Sequence, residues 1–99
     1  MSHQIEYSLD AGNHLMGLTA NQRAIVIDQV ERQLTHQPTC ETRNRKPMRP
    51  NPVAPWELRI GSLRVYYDVE EQLVQIVCIR AVGIKWCNRV RIGKEMVDL

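Results

Sequence analysis

Apolar side chains recur along this chain with two different periods. Near the start, Ile5, Tyr7 and Leu9 alternate with Glu6 and Ser8, which predicts a short half-buried strand over Gln4–Leu9. Asp10–Leu18 contains Leu15, Met16 and Leu18 but also Gly12 and Gly17, so it supports at most a short helix. Thr19 then stands three residues before Gln22, the spacing at which a helix cap and its third residue satisfy each other's amides, with Leu18 placed as a hydrophobic staple. Val26, Ile27, Val30 and Leu34 follow at helical spacing, predicting a helix over Ala20–Leu34 with that stripe buried and an outer Asp28–Arg32 pair.

After residue 55 the period changes to two. Trp56, Leu58 and Ile60 alternate with Glu57 and Arg59, and Gly61-Ser62 reads as a two-residue hairpin turn. On the return strand, Leu63–Val69, the residues Leu63, Val65, Tyr67 and Val69 point one way and Arg64, Tyr66 and Asp68 the other. Glu70-Glu71-Gln72 is a further turn. Leu73–Val82 is nearly continuous in Val, Ile, Leu and Cys, the pattern of a central strand covered on both faces, with Cys78 as a small core residue. In the tail, Val90 and Ile92 alternate with Arg89 and Arg91, and Gly93-Lys94 stands at a turn, which predicts a short edge strand or hairpin.

Between these halves, residues 36–55 contain all five prolines. Proline lacks an amide donor and resists regular pairing, so a long loop is predicted here. The order of elements gives an α+β class: helices packed on one face of a small, mainly antiparallel sheet. Val26, Ile27, Val30 and Leu34 would pack on Leu58, Ile60, Val65 and Tyr67. The opposite sheet face would present Arg59, Arg64 and Tyr66, which can converge on one phosphate; ion pairing such as Asp68 with Arg80 is the purely structural use of the same charges. A surface-facing strand position also implies that Arg64→Ala alters activity more than stability.

Ninety-nine residues make one domain, residues 1–99. The net charge of +2 conceals an asymmetry. Residues 1–38 carry two basic and four acidic side chains, whereas residues 39–99 carry eleven and seven. Arg43, Arg45, Lys46, Arg49, Arg59 and Arg64 are opposed only by Glu57 over their stretch, a cluster suited to phosphates or to an acidic protein. The three cysteines, Cys40, Cys78 and Cys87, form no paired motif, which fits a reducing, cytoplasmic compartment. The scattered His3, His14 and His36 give no metal-ligand spacing, and no phosphate-binding glycine loop or nucleophile elbow is present. No apolar run approaches a membrane span, and the first residues lack the basic and apolar regions of a leader.

The stretch Trp56–Val69, WELRIGSLRVYYDV, resembles the RelE/ParE toxin superfamily of bacterial type II toxin–antitoxin systems. The likeness continues upstream through the proline-containing basic loop and downstream through IRAVGIK (Ile79–Lys85) and NRVRIG (Asn88–Gly93), and so covers roughly residues 34–93. The resemblance implies a β-α(-α)-β-β-β fold and, in many relatives, cleavage of mRNA, often on the ribosome, without metal or cofactor. It implies that Arg64 stabilises the transition state, that Lys85 serves as the acid, and that Arg59 binds or polarises the RNA. Arg43, Arg45, Lys46, Arg49, Tyr66, Arg89 and Arg91 would add RNA contacts. Two departures stand out. Glu57 replaces a second family lysine, where a carboxylate can instead act as a general base, and no tyrosine follows Tyr67. The implied protein partner is a cognate antitoxin in a hetero-oligomer. The resemblance also leaves room for a ParE-like inhibitor of DNA gyrase and for an inactive family member.

Overall fold

The structure, a computed structural model, describes residues 2–99; Met1, the first residue of the segment read for a leader, lies outside it. Strand β1 (Gln4–Tyr7) leads into helices α1 (Leu9–Met16) and α2 (Ala20–Leu34). Six further strands follow: β2 (Arg45–Pro47), β3 (Trp56–Ile60), β4 (Leu63–Glu70), β5 (Ile76–Trp86), β6 (Arg89–Ile92) and β7 (Glu95–Val97). The sheet runs β2-β3-β4-β5-β6-β7 with antiparallel neighbours, and β1 joins β5 in parallel.

The predicted cap at Thr19 forms. Its hydroxyl accepts from the Gln22 amide at 3.1 Å while the Gln22 side chain accepts from the Thr19 amide at 3.1 Å. Val26, Val30 and Leu34 are buried against Leu58, Val65 and Tyr67 in the main core, which Leu15 and Leu18 also enter. Ile27 is a correction: it lies 43% exposed, because the buried stripe follows the i, i+4 line through 26, 30 and 34 and turns its neighbour outward. Asp28 and Arg32 pair on the outer surface at 2.9 Å.

Other boundaries move as well. The first strand stops at Tyr7 because the Ser8 hydroxyl accepts from the Ala11 amide and turns the chain into α1, leaving Leu9 at the exposed start of that helix. The proline-rich segment contains a short edge strand, β2, which ends on Pro47. Leu73 is not in the central strand; it is exposed in the connection before Ile76.

The near-continuous apolar run of β5 has a specific origin. A bulge at Arg80 shifts the register, so that Tyr66 faces Ala81 while Tyr67 faces Ile79. The alternation therefore changes phase within one strand. Val77 and Ile79 face the helices before the bulge, and Val82 and Ile84 face them after it. Cys78 pairs with Asp68 on the far face and is only half-buried, rather than a core residue.

β4 occupies one edge of β5, so β1 and β6 must share the other. β1 takes residues 76–79 and β6 takes residues 83–86. The intervening edge is finished by side chains from the first helical segment. The Ser8 hydroxyl donates to the Arg80 carbonyl at 3.2 Å, and the His14 Nδ1 accepts from the Val82 amide at 3.3 Å. The face away from the helices carries a second small core of Ala54, Tyr66, Ala81 and Val90, with Met48, Val53, Ile92 and Leu99 packed around it. No helix among the described residues is long and apolar enough to cross a membrane.

Candidate functional site

Residues paired directly across an antiparallel sheet project to the same side. That rule sorts the basic residues. Arg59 pairs with Arg64, Arg64 with Gly83, and Lys46 with Glu57, while Lys85 stands two residues beyond Gly83. Lys46, Glu57, Arg59, Arg64 and Lys85 therefore share the face opposite the helices. Arg91 pairs with Ile84 and Arg89 with Trp86, so these two arginines lie on the helix side of the sheet. Arg43 and Arg49 are exposed in the proline-rich segment.

The turn between β3 and β4 gathers the first group. Gly61 adopts φ 58°, the left-handed conformation that a tight hairpin requires. The Arg64 guanidinium curls back over this turn and donates to the carbonyls of Gly61 at 2.7 Å and Leu63 at 2.9 Å. The Lys85 amide donates to the Ser62 carbonyl at 2.7 Å, which ties the end of β5 to the same turn. Arg64 is thus only 8% exposed, not a free surface side chain.

Glu57, like Arg64, is a buried charge of this face. Its carboxylate, 8% exposed as a residue, accepts from Arg59 Nε at 2.7 Å. The buried Tyr66 ring lies beside it, and the Tyr66 hydroxyl has no well-formed hydrogen bond. Burial, and then the adjacent Glu57 carboxylate, push that hydroxyl well above the ordinary phenol range. Tyr66 therefore meets the Val90 and Ala54 side of the second core instead of solvent. Glu57 also borders a groove of about 630 Å³ whose lining includes Lys46, Arg49, Arg59, Asp98 and Leu99.

Arg45 is placed differently from its basic neighbours. Its guanidinium donates to the Gln33 carbonyl and, at 3.0 Å, to the Cys40 carbonyl, clamping the end of α2 to the loop. Lys46 pairs with Glu41 at 3.4 Å. On the helix side, Arg89 pairs with Asp98 at 3.1 Å. Asp68 and Arg80 approach to 3.8 Å, the structural pairing considered for them.

Sequence pattern missed two members of the framework. Gly83 sits where a Cβ would meet the Arg91 carbonyl oxygen at 2.6 Å and Val90 Cγ1 at 2.7 Å. Its only trace in the sequence is a glycine inside a strand-like run, the usual mark of a close backbone approach. His14 gave no trace, because its role depends on a gap between two strands that are distant in sequence.

Neither a protein-family model nor a curated protein matches the sequence. The folded chain does have a counterpart among solved structures. It superposes on a chain of the toxin–antitoxin complex RelBE2 from Mycobacterium tuberculosis with a TM-score of 0.73. The match covers 86% of this chain and 100% of that one, at 21% identity. The fold is RelE-like. Two helices on a mainly antiparallel sheet is the α+β arrangement expected from the sequence, with the expected tail hairpin formed by β6 and β7 and with β2 as an addition. In this frame, the charged side of the β3–β4 hairpin, Glu57, Arg59 and Arg64, lies on the face away from the helices.

Proposed function

We propose that this chain is the toxin of a type II toxin–antitoxin pair, a metal-independent endoribonuclease acting on mRNA and neutralised by a protein antitoxin. The observation that carries this reading is the grouping of one carboxylate, Glu57, with the cations Arg59, Arg64 and Lys85 on a single sheet face. The likeness to a chain of a toxin–antitoxin complex supports the class and the kind of partner.

The chemistry needs a base, cationic stabilisation and an acid. Glu57 takes the proton of a ribose 2′-hydroxyl once an incoming phosphate draws Arg59 away from it. The 2′-oxygen then bonds to the adjacent phosphorus. Arg64 and Arg59 hold the extra negative charge on the phosphoryl oxygens, for which a forked guanidinium is well shaped. The bond from phosphorus to the 5′-oxygen breaks, and the Lys85 ammonium protonates the departing oxygen. The products are a 2′,3′-cyclic phosphate and a 5′-hydroxyl. Lys46, Arg43 and Arg49 supply flanking cations. An acidic antitoxin segment laid over this face would cover the same groups.

The test is induction of the chain alone in bacteria, with mRNA 5′ ends mapped by primer extension. New 5′-hydroxyl ends that disappear in Arg64→Ala and Glu57→Gln are expected. Growth arrest without new ends, accompanied by gyrase–DNA adducts, would instead establish a ParE-like activity. Absence of any arrest would establish an inactive member.

A further inference from the structure

The far end of the β5–β6 hairpin carries an exposed surface that the proposed chemistry does not use. Trp86 is 72% exposed at the last position of β5, although full burial of so large an apolar ring is strongly favoured. The layer above it explains the exposure. α1 reaches Val82 through His14, and among the described residues of β5 Ile84 is the last that packs on the core. A two-residue turn, Cys87-Asn88, then brings Arg89 directly across from Trp86. Arg91 lies two residues further along β6, roughly 6.6 Å away, on the same side. Among the described residues, Arg91 has no ion-pair partner. Arg89 pairs with Asp98 with both side chains more than half exposed, a contact weak enough for a phosphate to replace.

We propose that this hairpin end is a nucleobase-stacking site for single-stranded nucleic acid, with a base on the Trp86 indole and the flanking phosphates on Arg91 and Arg89. An exposed indole next to two guanidinium groups is the combination that single-strand recognition uses: a flat apolar face for any base and fixed cations for the backbone. A purely apolar partner would leave Arg91 desolvated and unpaired. A strand held here continues over the hairpin to Lys85, the next residue back along β5 and on the opposite face. The inference rests on the ribonuclease reading.

The test is binding of the full chain to a fluorescein-labelled, fully 2′-O-methylated RNA 12-mer, which lacks the attacking hydroxyl and stays intact. Fluorescence anisotropy is read alongside tryptophan emission. Trp86→Ala is expected to weaken binding about tenfold, Trp86→Phe to retain most of the affinity, and Arg91→Ala to lower both affinity and its salt dependence. Indole quenching on binding should vanish in Trp86→Phe, since Trp56 is stacked on Tyr67 within the sheet. Thermal melting of Trp86→Ala should match wild type, confirming that the fold is intact. Wild-type binding with unchanged affinity in Trp86→Ala overturns this inference and leaves the ribonuclease reading standing. No binding by wild type overturns both. Unchanged RNA affinity together with altered self-association of Trp86→Ala makes the surface a protein contact and overturns the inference.

Discussion

Gly83 lies directly across the β4–β5 ladder from Arg64, and its missing side chain is what lets β6 come close behind it. A methyl group there meets the Arg91 carbonyl oxygen at 2.6 Å and Val90 Cγ1 at 2.7 Å, of which the first is backbone and does not swing aside. Gly83→Ala should therefore destabilise the fold by about 1–3 kcal/mol and should displace β6 from β5. Chemical denaturation measures the first effect, and amide exchange at Ile84–Trp86 the second. Gly12→Ala serves as the control, because nothing lies within 4 Å of its Cβ position.

Arg64 is expected to affect stability as well as activity. It donates to two carbonyls of its own hairpin and is nearly buried, in contrast to the surface position that strand alternation alone suggests. Arg64→Ala should lower unfolding free energy by about 1–2 kcal/mol. Arg64→Lys should recover part of the stability and little of the proposed cleavage, since an ammonium lacks the fork. Urea titration and primer extension, run on the same variants, separate the two effects.

The tyrosines predict an alkaline limit. Burial raises Tyr66, and Glu57 adds to it; burial also raises Tyr67, against a smaller opposing effect of Arg45. Tyr7 is raised by burial and then by Glu31. Each neutral phenol is thus favoured in the folded state. Unfolded tyrosine ionises near pH 10, so above that pH the unfolded chain holds fewer protons than the folded one. This contribution to stability is complete below about pH 10 and is lost progressively as pH rises toward the folded-state values. Melting temperatures between pH 8 and 11 should be level first and then fall, with tyrosinate absorbance appearing together with unfolding. The Tyr67 hydroxyl also donates to the Pro38 carbonyl at 2.6 Å, so Tyr67→Phe should cost about 1–2 kcal/mol at neutral pH.

His14 completes the edge of the sheet. Its Nδ1 accepts from the Val82 amide, in the interval where neither β1 nor β6 pairs with β5. His14→Ala leaves that partly buried amide without its partner and should destabilise by about 1–2 kcal/mol. Faster hydrogen exchange confined to Val82 would identify the cause. An unchanged exchange rate there would show that solvent fills the role.

The elements with strong local signals were legible in the sequence. The Thr19–Gln22 capping box, the stripe through Val26, Val30 and Leu34, and the Gly61-Ser62 turn all depend on residues within a few positions of one another. What could not be read depends on distant partners. Leu73 is as apolar as Val77, and only the pairing of Ile76 with Gln4 on one side and Glu70 on the other shows where the strand begins. The bulge at Arg80 changes which side each neighbour faces, and no residue type announces it. On the candidate site, alternation placed Arg59 and Arg64 on one side, but it did not reveal that a second core of Ala54, Val90 and their neighbours covers Tyr66. Nor did it show Arg45 turned back toward Gln33 and Cys40.

The parallel pairing of Gln4–Tyr7 with Ile76–Ile79 has a consequence for how the chain comes into being. Synthesis proceeds from the N-terminus, so β1 emerges more than seventy residues before the strand it must join. Through that interval the capped α2 helix has local support, while β1 has no template and α1 has no edge to complete. The β3–β4 hairpin with its arginines can form early, but Gly83 and Lys85 arrive after it. The grouped charges of the candidate site are therefore assembled only when nearly the whole domain has left the ribosome, and a truncated product would carry the hairpin without its last cation.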